Sequence, residues 1–341
     1  MKLQISENIP DNWDNTIASL GGTISHTGVH ARYVTAGQAN VTPRYITLMS
    51  DEDELVGAAL GFQSRSPHGL LAPFTGRFWL VSMPAVRSDV DNALGEFLRQ
   101  LEEYARRSRN VELEIGSFAC DTGCRELENL GYRLIKRFEF ELDLTPAEEE
   151  LFAAMEYKRR KNINKAKRNG VIIQDITGEE GIAHLRRLQG HSSERIVARG
   201  GRDITHQYQP ADDPVMILLE SGLTRIIGAQ VNNEIVSAGL FTCFNHLVYH
   251  TLSGHSAEAF NTQAPTLLIW DTILRYKKQG AKKFNFGGCK ISAVHEGDPE
   301  HGVYVYKKAF GTQCIDCTSG HKVLRKKTYT AVCLLKGLLR R

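Results

Sequence analysis

Long apolar runs are what this 341-residue chain most plainly lacks. No stretch approaches the roughly 18–20 consecutive apolar residues of a membrane span. The opening stretch, MKLQISENIPDNWDN, is polar and acidic where a secretory signal needs an apolar core. Both absences lead to the expectation of a cytoplasmic protein without an integral membrane segment. Cysteine is sparse and odd in number, seven in all, which in a non-secreted chain reads as free thiols rather than a disulfide framework. Cys314 and Cys317 form a lone C-x-x-C, but QCIDC alternates as a strand does, which sets the two on opposite faces. With no second pair at suitable spacing, no zinc site is expected. His191, His206, His255 and His321 fall into no Ser/His/Asp or metal-ligand spacing, and no covalent nucleophile stands out. Direct attack of one substrate on another is the simpler chemistry to expect.

Acids are missing from two places, and that decides where the charge lies. YKRRKNINKAKRNGV, Tyr157–Val171, holds seven cations from Lys158 to Arg168 and no carboxylate. After Asp316 there is no further acid, while Lys322, Arg325, Lys326, Lys327, Lys336, Arg340 and Arg341 follow. The whole chain has 42 cations and 39 acids; without these fourteen, 28 cations face 39 acids. Positive potential is therefore concentrated in two patches of the kind that attracts polyanions.

One series of elements occurs twice. Tyr45–Phe62 reads as a hairpin around an acidic turn, and FWLVSM as a short buried strand. SDVDNALGEFLRQLEEYARRS reads as a helix capped by Ser88, with Leu94, Phe97, Leu101 and Tyr104 at helical spacing. VELEIGSF alternates, a helix over Thr122–Leu130 closes at Gly131, and LIKRFEFELDL is a strand. Later, TRIIGAQVNNEIVSAGLFTCF is a hairpin with Asn232–Asn233 at its turn. HLVYHTLSG is a strand, and a helix follows with Asn261 or Thr262 as cap, Pro265 in its first turn and Gly280 as its stop. KKFNFGG is the next strand. Each series is one α/β layer unit, with a joint near Thr145–Glu150.

Hairpin, strand, long helix, strand is the order of the GNAT acyltransferase fold. Two such units in tandem, the second opening on a basic helix, resemble the Fem family of aminoacyl and peptidyl transferases. WDNTIASLGGTISHTGVHARYV is similar to the family's N-terminal helix and loop. KRRKNINKAKRNGV is similar to its K-x-R-x-x-I-x-K-A-x-x-x-G-V segment, with Lys158, Arg160, Ile163, Lys165, Ala166, Gly170 and Val171 in register. YHTLSGHSAEAFNTQAPTLLIWDTI and GVYVYKKAFG resemble its strand–loop–helix and its terminal aromatic-Lys-x-x-Phe-Gly element. The resemblance implies an α/β fold of two tandem GNAT-like domains, each a mixed central sheet flanked by helices. Residues 1–147 would form the first, with 321–341 as its candidate completion, and 148–320 the second.

It also implies aminoacyl-tRNA as donor, an amine on a peptide, peptidoglycan precursor or peptidic natural product as acceptor, and no cofactor. The family's catalytic aromatic–Lys pair falls on Tyr306 and Lys307, with the lysine stabilising the oxyanion. Lys158 and Arg160 become donor- or phosphate-contacting residues, Tyr249 and Ser253 line the acceptor groove, Arg195 meets an acceptor phosphate, and Lys308 takes the phosphate side. The coiled-coil arm of some family members is absent.

Each assignment has a plainer counterpart. Lys158, Lys161, Lys165 and Arg168 fall on one helical stripe opposite Met155, Ile163 and Ala166, which a solvated face also explains. Against that, cations with no i,i+4 acid repel one another, and Arg159 projects toward the apolar side. Lys307, on what reads as a short strand, could be an edge lysine that deters aggregation. Tyr249 could be a half-buried aromatic and Ser253 a turn serine; His250, on the opposite face from Tyr249, reads as structural. Glu114 falls near where some family members place a carboxylate, and simple alternation explains it too.

Two other functions stay open at this point. One is an N-acyltransferase using an acyl-CoA or carrier thioester; the matching loop GHSAEAFNTQAP lacks the glycine pair that would let backbone amides approach a pyrophosphate. The other is a non-catalytic RNA-binding module, disfavoured by the few aromatics near the cations. The C-terminal TYTAVCLLKGLLRR reads as a helix with Val332, Leu335 and Leu339 inward and Lys336, Arg340 and Arg341 outward. It would pack on the first domain or rest on an anionic membrane surface.

Overall fold

The structure is a computed structural model describing residues 1–66, 74–198, 200 and 214–339, with the side chains of 333 and 335–339 outside the description. The chain divides into two compact units, Met1–Lys136 with Asp316–Arg341, and Arg137–Ile315.

The first unit contains β1 (Lys2–Ser6), α1 (Trp13–Ser19), α2 (Gly28–Gly37), β2 (Val41–Met49), β3 (Leu55–Ser64), β4 (Arg77–Leu80), β5 (Ala85–Val86), α3 (Ala93–Arg107), β6 (Glu112–Ile115) and α4 (Cys124–Asn129). The chain leaves it within β7 (Arg133–Asp143) and returns within β13 (Gln313–Val323), before α12 (Lys326–Leu339). Its sheet runs β1-β2-β3-β4-β6-β13, with β5 beside β3. β4 and β6 are parallel; β1–β2, β2–β3, β3–β4, β3–β5 and β6–β13 are antiparallel. Alternation in β6 is borne out, since Leu113 and Ile115 are fully buried while Glu112 and Glu114 are half-buried. Phe97, Leu98 and Leu101 of α3 share a core with Ile46, Leu48, Ala59 and Phe78 from the sheet. The helix starts later than its sequence suggests: Asn92, in the left-handed region, occupies the cap, and Ser88 lies in the turn before it. Asp89 is held there by Arg87 at 2.7 Å, so the chain turns once more before the helix begins. In α12, Val332 is half-buried and Leu334 exposed; the expected burial of Leu335 and Leu339 and exposure of Lys336, Arg340 and Arg341 lie outside the described residues.

The second unit contains most of β7, then α5 (Glu148–Ala154), α6 (Tyr157–Arg168), β8 (Ile172–Ile176), α7 (Gly178–Val197), α8 (Val215–Glu220), β9 (Thr224–Val231), β10 (Glu234–Phe244), β11 (Leu247–His255), α9 (Ala257–Thr262), α10 (Ala264–Lys278), β12 (Lys283–Lys290) and α11 (His301–Lys308). Its sheet runs β7-β12-β11-β10-β9-β8. The β9–β10 hairpin turns on Asn232 and Asn233, both at positive φ, the pair that suits a two-residue hairpin. β7 pairs with β12 from Arg137 to Asp143, so residues 137–147 fall with this unit rather than ending the first. The helix after β11 is broken in two. Ser256 caps α9 through the Ala259 amide, and Gln263, at φ 63°, is the cap of α10, not Asn261 or Thr262. Pro265 cannot carry a helix through from α9, because it lacks the amide and crowds the preceding turn.

Candidate active site

β11 and β12 run parallel, paired only from Leu247–Tyr249 to Lys283–Asn285. Beyond that point β11 follows β10 to His255 and β12 follows β7 to Lys290. The parting originates in the sequence FNFGG. On β12 the register slips between Asn285, opposite Glu141, and Gly288, opposite Glu139. Gly287 takes φ +75°, a conformation open to glycine at little cost. Asn285 Oδ1 accepts the Gly287 amide at 2.7 Å and fixes this bulge.

Two polar groups meet at that glycine. A β-carbon on Gly287 would stand 3.6 Å from Lys307 Nζ and 3.9 Å from the Tyr249 hydroxyl. Lys307 Nζ donates to the Gly288 carbonyl at 3.0 Å and lies 5.9 Å from the centroid of the Phe140 ring. Burial of this half-buried side chain pushes its ammonium down to about 8; the Cys289 thiol and Glu139 oppose the shift only in part. The Tyr249 hydroxyl donates to Glu139 Oε1 at 3.2 Å, and Asn285 Nδ2 donates to Oε2 at 2.7 Å. Arg137 pairs with the same carboxylate, so the fully buried Glu139 has cation and donors around it. The site thus presents one ammonium of lowered basicity and one tyrosine held by a buried carboxylate, at a gap between strands.

The element that carries Lys307 is a helix, not the strand its alternating VYVY suggests. Tyr306 and Phe310 stand one helical turn apart and share a face, and Gly311 at φ +79° ends the turn, its amide bonded to Lys308 O. Propensity for strand is a weak prior over so few residues, and packing overrides it. Lys308 accordingly does not point opposite to Lys307 but lies about 100° round the helix. It is exposed, with Nζ 5.7 Å from the Tyr304 ring centroid. Tyr306 is half-buried, and its hydroxyl donates to Pro265 O at 3.1 Å.

The remaining expected residues are spread over the second unit. Lys158 is exposed on α6. Arg160 turns back to donate to the carbonyls of Ala153 and Met155 at 2.5 and 2.7 Å, closing the end of α5. Both bonds use Nη1 and act as local capping. Met155 precedes α6 rather than lining its inner face, which is formed by the fully buried Ile163 and Ala166. Lys158, Lys161, Lys165, Lys167 and Arg168 are all exposed, and none pairs with a carboxylate among the described residues. Arg195 stacks over Phe260 at 4.9 Å and donates to Ser192 Oγ at 2.9 Å. Ser253 lies on β11 opposite Gly239, half-buried. His250 stacks on Phe241, and burial drives its pKa down to about 3, so the ring is neutral. In the first unit Glu114 pairs with Arg77. Of the expected set, Lys307 and Tyr249 come together at Gly287, with Tyr306 adjacent on the helix.

The sequence pattern of the FemAB family matches residues 123–197 and 221–332, more than half of the chain. The chain belongs to the FemAB family. As a member it is a tRNA-dependent aminoacyltransferase. The crystal structure of FemX superposes with a TM-score of 0.76 at 14% identity, covering 97% of this chain and 100% of that one. L-PGS from Bacillus licheniformis gives 0.56 at 15% identity, covering 98% of each chain. A tandem GNAT protein from the clavulanic acid biosynthesis pathway gives 0.51 at 15% identity, covering 95% of this chain and 99% of that one. At such identities these likenesses show the fold, which is the expected tandem GNAT arrangement. Among curated proteins no sequence matches. No helix among the described residues is long and apolar enough to cross a membrane.

Proposed function

We propose that this FemAB-family enzyme forms an amide between the aminoacyl group of a charged tRNA and an amine on a peptide, a peptidoglycan precursor or a peptidic natural product, and that Lys307 is its catalytic residue. The observation that carries the reading is the Lys307 ammonium beside Gly287, at the gap between β11 and β12. The acceptor's neutral amine attacks the ester carbonyl. A C–N bond forms, the carbonyl electrons move onto oxygen, and the oxyanion is met by the ammonium. Collapse restores the carbonyl and expels the ribose oxygen; the proton lost by the amine balances the one that oxygen gains. An activated ester needs little more than positioning and charge stabilisation, so the step does not require a strong general base. Tyr249, anchored by Glu139, gives the acceptor amine a rigid wall. The exposed cations of α6 hold the tRNA backbone, and Lys308 lies on the solvent side of the same helix end.

The pH profile tests the charge state required. An ammonium that stabilises an oxyanion must be protonated, so with a weakly basic acceptor amine that is neutral throughout the range kcat should be level at lower pH and fall as pH rises through about 8. A lysine acting as base would give the reverse, with kcat rising through the same value. Measuring kcat from pH 6 to pH 9.5 with saturating charged tRNA and acceptor separates the two.

A further inference from the structure

Arg159, like Arg160, is a cation of α6 that is half-buried, while the other five are exposed. Arg159 makes no ion pair among the described residues, and its Nε is buried without a partner. Burial lowers its pKa from the ordinary value, so keeping the charge here is costly. What the guanidinium touches is the helix of Lys307. It lies 4.3 Å from the Tyr306 ring centroid and 5.0 Å from that of Phe310. Nη2 donates to Tyr306 O at 3.4 Å and Nη1 to Thr266 Oγ1 at 3.2 Å.

The last carbonyls of a helix have no partner within it. At the end of α11, Val305 O takes the Ala309 amide, Lys307 O takes Phe310 N and Thr312 Oγ1, and Lys308 O takes Gly311 N. Tyr306 O is served by Arg159, and a cation at a helix C-terminus is also favoured by the helix dipole. Tyr306 in turn reaches Pro265 O, and Arg159 reaches Thr266, so both tie the end of α11 to the first turn of α10. Rotation of α11 about its axis decides whether the Lys307 ammonium meets Gly288 O beside Gly287 or swings away.

We propose that Arg159 is a positioning residue for Lys307: by capping Tyr306 O and stacking on Tyr306 and Phe310 it sets the rotation of α11 and hence the place of the ammonium. The proposal rests on the catalytic reading of Lys307 above. Because Arg159 shares α6 with the exposed cation stripe, the tRNA-docking helix and the reacting ammonium are joined through one side chain.

The test uses the full chain and the variants Arg159→Met, Arg159→Lys and Thr266→Val, with Lys307→Met as reference. In Arg159→Met, kcat should fall about tenfold to a hundredfold, as for a reacting group displaced by an ångström, with KM for charged tRNA changing less. Arg159→Lys should recover part of the rate, since charge and one donor remain. The alkaline limb of kcat should move up from about 8, because an ammonium released from its half-buried seat regains water. A purely structural arginine would lower the melting temperature and leave the limb where it is, which overturns the proposal. So does an effect confined to KM. If Arg159→Met fails to fold, Arg159→Lys and Thr266→Val carry the same comparison. Wild-type rates in the Arg159 variants with a crippled Lys307→Met sink this proposal alone; an active Lys307→Met sinks the catalytic reading with it.

Discussion

Lys307→Met should lower kcat by about 10²–10³ while KM for charged tRNA and acceptor changes little, the size of effect seen when one oxyanion donor is removed. The split between the two parameters follows from when the contact matters. In the ground state the ester carbonyl is neutral and gains little from an ammonium; charge develops only as the amine attacks. Methionine fills a similar volume, so the packing against Phe140 persists and a collapsed site is not the reason for the loss. Lys308→Met is the internal control: the residue is exposed and is not among the groups around Gly287. Its kcat should stay near wild type, with any change in KM. Equal, mild effects from the two substitutions would remove Lys307 from the chemistry.

Replacing Lys158, Lys161, Lys165 and Arg168 together with alanine should weaken tRNA binding and flatten its salt dependence, with the fold retained. All four side chains are exposed while Ile163 and Ala166 hold the helix to the core, so alanine costs no packing. Alanine also favours the helix. Four phosphate contacts at about 0.7–0.9 each give a log–log salt slope of about −3, so their share of the wild-type affinity should drop about sixtyfold between 50 and 200 mM salt. The variant should start weaker at low salt and lose little more on raising it. Filter binding or fluorescence titration at the two concentrations reads both. Unchanged affinity and slope would make the stripe an ordinary solvated face.

Much of the architecture is legible because it is written in local patterns. Asn232–Asn233 between two apolar runs specifies a hairpin, and the alternation of Leu113 and Ile115 specifies a strand with one inner face. The exposed side of α6 is equally visible, since four cations recur at helical spacing with no acid beside them. Three features depend on contacts distant in sequence and were not legible in this way. GVYVYKKAF alternates like a strand, but Tyr306 and Phe310 find Arg159 from α6, and the segment is helical. Glu139 sits between Phe138 and Phe140 and looks like the solvated half of an alternating strand. Only the arrival of Tyr249 and Asn285 from β11 and β12 makes it a buried anchor. Arg137, two residues away on the same face, was the one local hint of its partner. The bulge at Gly287, which parts β11 from β12, is hidden in a glycine pair that reads equally well as a strand end. Arg160 carries a contact that its family motif did not announce: its Nη1 donates to the carbonyls of Ala153 and Met155 at the end of α5.

The most direct measurement is transfer of label. The enzyme is incubated with tRNA charged with a radiolabelled amino acid and, separately, with labelled acyl-CoA, each against a panel of peptide and peptidoglycan-precursor amines. Wild-type enzyme should move label from the tRNA ester into an alkali-stable amide, Lys307→Met should do so about 10²–10³ times more slowly, and the thioester should leave the acceptors unlabelled. Label arriving only from the thioester, or at the same rate from the tRNA ester with and without Lys307, would contradict an aminoacyl transfer centred on that lysine.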